Sequence, residues 1–401
     1  MALLSVAEAL ARVTSGLMPL DTERVALDQA SGRVLAEDLA ARLTQPPFDA
    51  SAMDGYAVRA ADVASLPATL KLIGASLAGT GFDGRVGRGE AVRIFTGAPV
   101  PRGADTIVIQ ENADQTGDVV TVKDAAPGRH IRPRGQDFKQ GEVLLKAGTR
   151  LGPRELMLAA AMNQAELTVR RKPRVAILAT GDEVVPPGSE PTKDQIVSSV
   201  PYGLAALIER HGGEAMSLGI AKDEPESLVT LARAGRAADI LLTIGGASVG
   251  ERDLVASALK PEGLELDFWK IAMRPGKPLL YGRLGSQRVV GLPGNPVSAF
   301  VSALVFLVPM LERMLGLVQP TRAQSEALLG EGLQANGERE HYMGAVSEWR
   351  EDGMRVVRPL PSQDSSLVAG LSRTDCLIVR VPQAPALPQG ARVRIIPLEL
   401  D

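Results

Sequence analysis

The sequence has very few of the side chains that build thiolate metal sites and disulfide frameworks. Its 401 residues include one cysteine, Cys376, and three histidines, His130, His211 and His341. One cysteine excludes an internal disulfide and a zinc site with several thiolates. The histidines stand far apart and show no metal-ligand spacing. Cys376 lies in the strand-like run CLIVRV, which is typical of a buried core thiol.

The chain also lacks an excess of charge of either sign and any long apolar run. It has 44 basic and 47 acidic residues, which gives no electrostatic reason to bind nucleic acid or an anionic membrane. No apolar run reaches the ~20 residues that cross a bilayer, and AFVSALVFLVPML is too short. The N-terminal MALLSVAEALARV predicts an amphipathic helix rather than a signal peptide. These features indicate a cytoplasmic enzyme without nucleic-acid or membrane partners.

Two common nucleotide-binding motifs are missing as well. In the stretch TIGGASVGERD (243–253), the glycines do not have the G-x-G-x-x-G spacing of the dinucleotide fold. The chain has no G-K-[ST] phosphate loop either. The sequence therefore predicts neither an ordinary dehydrogenase nor a P-loop nucleotide hydrolase. Its two tryptophans, Trp269 and Trp349, are interpreted as packing residues.

What the chain does contain is a region, residues 172–318, in which short apolar runs alternate with helical stretches. The predicted strands are RVAILAT (174–180), EAMSLGI (214–220), DILLTIG (239–245), LDFWKIA (266–272) and RVVGLPG (288–294). The predicted helices are SVPYGLAALIERHG, PESLVTLARAGRAA and DLVASALK. This alternation predicts a parallel sheet with helices on both faces. In such sheets ligands bind at the carboxyl ends of the strands.

The regions on either side differ from this α/β region. Residues 1–45 contain two helix-like stretches, and residues 46–139 have short alternating runs that predict β structure. Residues 147–173 return to helix, so the β-rich piece is predicted to be inserted into the N-terminal region. Residues 320–401 predict a small β-barrel or sandwich. The predicted domains are residues 1–45 with 140–171, residues 46–139, residues 172–318 and residues 319–401.

Glycines, charged residues or the Asn-Pro pair of a helix start follow the five predicted strands. They are Gly181, Asp182 and Glu183; Asp223 and Glu224; Gly245, Gly246, Gly250, Glu251 and Asp253; Arg274 and Lys277; and Asn295 and Pro296. Glycines let backbone N–H groups point at phosphate oxygens, and carboxylates near phosphates usually hold Mg²⁺. Lys270, Arg274 and Lys277 supply positive charge for an oxyanion. The set predicts a site for a phosphorylated ligand and a divalent metal.

Each of these loops taken alone also has a purely structural explanation. A Gly-Asp pair after a strand is more often a turn than a site, and Asp223 and Glu224 are well placed to cap the next helix. The same two interpretations apply to a second group outside the sheet, which contains Asp49, Ser51, Asp54, Thr96, Arg132, Arg134 and Asp137. The convergence of five loops on one edge favours a site.

Seven motifs, in this order, resemble the MoeA family of molybdopterin molybdenumtransferases, to which the E-domains of gephyrin and of its plant counterpart are related. They are PPFDASAMDGYAV, FTGAPVP, RPRGQD, TGDE, TIGGASVGERD, RPGKP and GLPGNPVSA, and they cover essentially the whole chain. The resemblance implies a multidomain α/β fold. Its parts are a split N-terminal α/β domain, an inserted β-rich domain, a central parallel α/β sandwich of the molybdopterin-binding fold and a C-terminal β-barrel.

The resemblance also implies the last step of molybdenum cofactor synthesis. Adenylylated molybdopterin binds, molybdate is inserted at the dithiolene, AMP is released and Mg²⁺ assists. The implied assembly is an elongated homodimer with its active site between the subunits. Contacts with the molybdopterin adenylyltransferase and with acceptor molybdoenzymes are also implied.

The site residues that the resemblance implies fall into four groups. The catalytic group is Asp54, Thr96, Arg132, Asp137, Glu183, Asp223, Asp253, Lys270 and Arg274. The substrate-binding group is Gly181, Asp182, Gly245, Gly246, Ser248, Gly250, Lys277, Pro278, Pro293, Gly294, Asn295 and Pro296. The molybdate group is Arg274, Lys277, Arg339 and Ser365, and the metal group is Asp182, Glu183, Asp223 and Asp253. Electrostatic stabilisation is expected to dominate the chemistry.

Three other interpretations remain open. The central region alone also resembles molybdopterin adenylyltransferases and nucleotide hydrolases of the competence-damage type. Neither of these explains the N-terminal motifs. A non-catalytic cofactor carrier or scaffold is the third alternative.

Overall fold

The computed structural model describes residues 3–246, 254–318 and 325–398. Helix α1 (Val6–Thr14) begins with a capping box. The Ser5 hydroxyl accepts a hydrogen bond from the Glu8 N–H, and the Glu8 carboxylate accepts one from the Ser5 N–H. One face of α1 is buried. The predicted amphipathic N-terminal helix is therefore confirmed.

The rest of the N-terminal part is built mainly from short strands. They are β1 (Thr22–Ala26), β2 (Leu39–Ala40), β3 (Ala50–Ser51), β4 (Gly55–Val58), β5 (Ala68–Ser76), β6 (Glu90–Ile94), β7 (Thr106–Ile109), β8 (Ala113–Thr116), β9 (Val119–Val122), β10 (Ile131–Arg132), β11 (Val143–Leu145) and β12 (Glu166–Arg170), with helix α2 (Pro153–Ala161) before β12. Strand β1 pairs with β12 and β2 with β11, so the two ends of this region meet. Strands β4 to β9 form a sheet in the order β7-β4-β6-β5-β9-β8.

One prediction for the first 45 residues is wrong. The second helix-like stretch contains the strand β1, which pairs with β12 along its whole length. Cross-strand packing of this kind outweighs the local preference of the sequence for helix.

The central region folds around a six-stranded sheet. Its elements are β13 (Arg174–Thr180), β14 (Val184–Val185), β15 (Ile196–Val197), α3 (Val200–Arg210), β16 (Glu214–Ala221), α4 (Pro225–Ala234), β17 (Ile240–Ile244), α5 (Leu254–Leu259), β18 (Leu264–Lys270), β19 (Met273–Arg274), β20 (Pro278–Leu284) and β21 (Gln287–Leu292). The strand order is β16-β13-β17-β21-β20-β18. The first four strands are parallel, as predicted. Strand β20, which is not among the predicted strands, runs antiparallel to both neighbours.

Helices cover both faces of this sheet because alternate strand residues point in opposite directions. From β13, Val175 and Ile177 enter the core that contains α3, whereas Ala176 and Leu178 enter the core that contains α4 and α5. Parallel strands with both faces covered are apolar throughout. Burial of both faces explains why RVAILAT, the run from which β13 is predicted, is almost entirely apolar.

A long apolar helix follows the sheet. Helix α6 (Pro296–Ser302), a π-helical turn (Ala303–Leu307) and α7 (Val308–Met314) are continuous. These 19 residues have the length and hydropathy of a membrane span, but 78% of the apolar window is buried inside the protein. Packing in the core therefore accounts for its composition.

The C-terminal part forms a closed barrel. Its elements are β22 (Ser325–Leu329), β23 (Glu340–Trp349), β24 (Arg355–Pro359), α8 (Val368–Leu371), β25 (Cys376–Arg380) and β26 (Arg392–Pro397). The order β23-β24-β22-β26-β25 closes because β25 also pairs with β23, which confirms the predicted barrel. Cys376 lies in the barrel core, where burial raises the pKa of its thiol to about 12. Strand β19 pairs with β23 and joins the central region to the barrel.

Candidate functional site

A cavity of about 800 Å³, here called the large cavity, opens at the carboxyl edge of the central sheet. The ends of β13, β17 and β21 meet there because these strands are parallel neighbours. Its wall contains eight of the predicted residues, which are Gly181, Glu183, Asp223, Gly245, Gly246, Gly294, Asn295 and Pro296. The structure therefore brings four of the five predicted loops together.

The loop after β17 has to be glycine for two reasons. Gly245 and Gly246 have φ angles of +81° and +65°, which side chains rarely adopt. A Cβ atom would lie 3.0 Å from the Thr180 hydroxyl at Gly245 and 3.1 Å from it at Gly246. The backbone of this loop is thus packed directly against the end of β13.

The acidic residues after β13 and β16 lie next to each other. The Asp182 carboxylate accepts a hydrogen bond from the Asp223 N–H at 3.1 Å. Partial burial, and then the negative charges of Asp182 and Glu183, raise the pKa of the Asp223 carboxyl. Carboxylate oxygens are ligands that Mg²⁺ prefers, and repulsion of this kind between carboxylates is relieved when a cation binds near them.

The predicted metal group is only partly described. Within residues 3–246, 254–318 and 325–398, no three acidic, histidine or cysteine side chains lie together closely enough to hold a metal ion. The fourth predicted metal ligand, Asp253, lies outside the described residues, as do Ser248 and Gly250.

The barrel contributes one side of the large cavity. The Asn295 side-chain amide donates to the Ser365 hydroxyl at 3.0 Å, and the Val297 N–H donates to the Ser365 carbonyl at 3.0 Å. Ser366 and Val368 line the cavity. Pro293, just before this loop, is buried. The last loop of the sheet is therefore held against the barrel at the predicted residue Ser365.

The predicted basic residues form a second cavity, of about 350 Å³, here called the basic cavity. It is lined by Leu3, Arg274, Lys277, Asn336, Gly337, Glu338 and Arg339. The two cations of the RPGK turn thus meet Arg339 of the barrel. Among the described residues, no acid lies within ion-pair distance of Arg274, Lys277 or Arg339. Their charges are therefore available to an oxyanion.

Lys270 and Pro278 stand at the base of the RPGK turn. They pair with each other across β18 and β20, and the Ile271 N–H donates to the Lys277 carbonyl at 3.1 Å. Neither residue is among those that line the basic cavity. The Lys270 ammonium lies 3.8 Å from the centre of the Trp269 ring instead.

A histidine is buried beside the basic cavity. His341 pairs in the barrel sheet with Arg274 on one side and with Arg380 on the other. Burial, followed by the charges of Arg274, Arg339 and Arg380, lowers the pKa of His341 to about 4. The imidazole is therefore neutral at neutral pH.

The predicted residues of the N-terminal half form a separate group. The Thr96 N–H and hydroxyl donate to the Asp54 carboxylate at 2.7 Å and 2.8 Å, which lowers the pKa of Asp54. Arg132 is exposed on β10, which pairs with β3, and the Asp137 N–H donates to the Gln45 carbonyl. None of these four described residues lines either cavity of the same chain.

Sequence reasoning missed several residues. The wall of the large cavity also contains Ser198 and Ser199, which precede α3, and Ser366 of the barrel. Their only sequence signal is that small hydroxyl residues stand before helix starts. The interpretation of both tryptophans as packing residues is wrong, because Trp269 is 36% exposed and Trp349 is 71% exposed.

Comparison with known families covers almost the whole chain. Residues 4–163 match the MoeA N-terminal region (domain I and II), residues 176–313 match a probable molybdopterin binding domain, and residues 326–398 match the MoeA C-terminal region (domain IV). The two flanking matches disfavour an adenylyltransferase or hydrolase that shares the central region alone.

Individual relatives agree with this result. A protein named molybdopterin molybdenumtransferase from Haemophilus influenzae is 34% identical, and the match covers 94% of both chains. One of the same name from Nostoc sp. is 34% identical over 95% of this chain and 89% of its own. The crystal structure of a molybdopterin biosynthesis MoeA protein from Pyrococcus horikoshii OT3 has a TM-score of 0.86 at 29% identity. That match covers 99% of this chain and all of the other.

Proposed function

Because this chain belongs to the MoeA family of molybdopterin molybdenumtransferases, and so to molybdenum cofactor biosynthesis, we propose that it catalyses the last step of that synthesis. The enzyme inserts molybdate into the dithiolene of adenylylated molybdopterin and releases AMP. The observation that carries this proposal is the presence of two cavities of opposite character, a large one with acidic side chains and a smaller one lined by three cations. The large cavity suits the phosphorylated pterin, and the basic cavity suits molybdate.

The electrostatics of the large cavity support a role for Mg²⁺. Glu183 and Asp223 line it, and within the described part of the chain no lysine or arginine does. The charged side chains of this described wall are all negative, so that a diphosphate group is unfavourable there without a cation. We assign Asp182, Glu183 and Asp223, with Asp253, as the residues that hold Mg²⁺. When bound, the ion would neutralise phosphate charge and polarise the anhydride.

The backbone and hydroxyl groups of the large cavity orient the substrate. The glycine loop after β17 lets the ligand approach the main chain closely. Asn295 and Ser365, which are hydrogen-bonded to each other, connect this cavity to the barrel. We therefore assign Ser365 to help hold molybdate on the side of the pterin.

The basic cavity holds the second substrate. Molybdate is a tetrahedral dianion, and charge-assisted hydrogen bonds from Arg274, Lys277 and Arg339 would compensate its loss of water. Substrates held close together and in a fixed orientation react far faster than in free solution. This positioning, together with electrostatic stabilisation of the charge that develops on the leaving AMP, is the proposed source of catalysis.

The N-terminal group is the basis for a proposed homodimer. Asp54, Thr96, Arg132 and Asp137 carry polar groups that neither cavity of their own chain uses, so we assign them to the cavity of a second copy. The proposal includes four domains with the boundaries predicted from the sequence and a cytoplasmic location. It also includes contacts with the adenylyltransferase that delivers the pterin and with the molybdoenzymes that receive the product.

The decisive experiment measures AMP release from adenylylated molybdopterin in Mg²⁺, with and without molybdate. Molybdate-dependent release, with a product that activates a metal-free molybdoenzyme, is the expected result. Tight pterin binding without AMP release would instead indicate a carrier or scaffold.

A further inference from the structure

The end of β18 is irregular where it approaches the basic cavity. Its ladder with β20 shifts register between Leu266 and Phe268 and again between Phe268 and Lys270. In a regular strand neighbouring side chains point to opposite faces, but register shifts of this kind re-aim side chains and are common beside functional sites. The consecutive residues Trp269 and Lys270 can therefore meet.

The contact between them is close. The Lys270 ammonium lies 3.8 Å from the centre of the Trp269 ring, well inside the range of a cation–π interaction. Among the described residues, Lys270 has no acidic partner within ion-pair distance. The nearby carboxylate on the same strand, Asp267, is engaged by Arg12 at 2.9 Å. The face of the indole is thus the partner of this ammonium.

The position of Lys270 relates its contact with Trp269 to the basic cavity. Lys270 stands at the base of the turn that carries Arg274 and Lys277, and all three side chains are cations, which repel one another. The contact with the indole offsets this repulsion and restricts the flexible lysine side chain. The negative π face fixes it on a rigid strand while leaving the charge intact.

We propose that Trp269 is a positioning residue that fixes the Lys270 ammonium on the strand that ends at the RPGK turn, outside the wall of the basic cavity, where its charge attracts an oxyanion on its way to Arg274 and Lys277. This inference rests on the proposed function, since it takes molybdate as the ligand of that cavity. Trp269 itself touches no reacting atom, so its removal is expected to weaken molybdate capture more than the chemical step.

The first test observes the contact directly and does not depend on activity. Lysines of the full chain are reductively methylated with ¹³C, which preserves their charge, and Lys270 is assigned with the variant Lys270→Met. A ring-current shift of its methyl signal is expected in the wild type and is expected to vanish in Trp269→Leu. Absence of a shifted signal in the wild type would overturn the inference, irrespective of the activity of the enzyme.

The second test measures the apparent KM for molybdate and kcat for AMP release. Trp269→Leu is expected to raise KM about two- to fivefold, the size of an exposed cation–π contact, with kcat nearly unchanged and with partial rescue in Trp269→Tyr. The matched control is Trp349→Leu, which removes the other exposed tryptophan from beneath Arg355 on the barrel and should change nothing. The double variant Trp269→Leu/Lys270→Met should be no worse than Lys270→Met alone.

Two outcomes separate this inference from the proposed function. An unchanged KM in Trp269→Leu, or additive losses in the double variant, would refute the positioning role while AMP release by the wild type leaves the proposed function intact. Absence of AMP release by the wild type would refute the proposed function, and with it the molybdate role of the contact.

Discussion

The large cavity and the basic cavity differ in the sign of the charged side chains that line them. The large cavity presents carboxylates, glycines and hydroxyls, and its described wall contains no basic side chain. The described wall of the basic cavity presents Arg274, Lys277 and Arg339, and a single acid, Glu338. A phosphate in the large cavity would therefore need a cation from solution, whereas the basic cavity carries its positive charge permanently.

This difference follows from which parts of the fold build each cavity. The large cavity is formed by turns at the ends of parallel strands, where glycine is required for tight geometry and acids follow the turn. The basic cavity is formed where the RPGK turn meets the barrel, and β19 pairs with β23 there. Long arginine side chains from two regions can converge at such a junction. The proposed function therefore assigns the two substrates to two regions that can be changed independently.

The largest expected effect comes from removing a charge in the large cavity. Asp223→Asn keeps the shape of the side chain but removes a carboxylate that Asp182 and Glu183 already repel. We expect AMP release to fall about a hundredfold or more and the Mg²⁺ concentration for half-maximal rate to rise. The apparent KM for molybdate should not change. Initial rates over a matrix of Mg²⁺ and molybdate concentrations measure both quantities.

The matched variant in the basic cavity is Arg339→Gln. It should raise the apparent KM for molybdate about tenfold or more, the usual cost of losing a charge-assisted hydrogen bond, with no change in the Mg²⁺ requirement. If both variants altered both quantities equally, the division of labour between the cavities would be wrong.

The sequence predicted the large cavity better than the basic cavity. Residues such as Gly245 and Asp223 follow buried strands, and the rule that parallel strands end at one edge places them together without further information. Strand β20 was missed because PLLYGRL follows a turn with Pro and Gly and has no helix before it. The β1 strand was missed because its partner β12 lies far along the chain, and local patterns do not report such pairing.

The basic cavity depends on contacts that no local pattern reports. Arg339 reaches Arg274 and Lys277 only because β19 joins the barrel sheet. The buried His341 and the contact of Trp269 with Lys270 depend on strand register, which the sequence does not display. The motif resemblance supplied Arg339 and Ser365, whereas the burial of His341 became visible only in the structure.

The next prediction concerns how the stability of the protein depends on pH through His341, which lies on the barrel side of the basic cavity. The folded pKa of His341 is about 4, below its usual 6.5, because of burial and neighbouring arginines. Its contribution to stability is therefore complete above pH 6.5 and is lost as pH falls from 6.5 to about 4, since the unfolded chain takes up the proton first. The maximal loss is about 3 kcal/mol.

The variant His341→Gln isolates the contribution of His341 to the dependence of stability on pH. Urea unfolding of both proteins at a series of pH values should give a free energy of unfolding that falls less steeply with acid in the variant. Carboxyl groups titrate in both proteins, so the difference between the two curves belongs to His341. Parallel curves between pH 6.5 and 4 would show that the folded imidazole titrates normally, and that the arginines of the basic cavity do not act on it.

The smallest expected effect concerns the glycine loop of the large cavity. It shows whether glycine is required there because a side chain would not fit or only because of the backbone angle. Gly246 and Gly285 have φ angles of +65° and +66°, but an added Cβ meets Val255 and Thr180 at 3.0–3.1 Å in the first case and nothing within 4 Å in the second. Both alanine variants should lose about 1 kcal/mol or more of stability from the backbone angle. Gly246→Ala should lose roughly a further 1 kcal/mol from crowding and should also bind adenylylated molybdopterin more weakly. Urea unfolding measures the first quantity and pterin titration the second. Equal losses of stability with intact pterin binding would mean that the loop tolerates a side chain, and the close approach of ligand to backbone would no longer explain why glycine stands there.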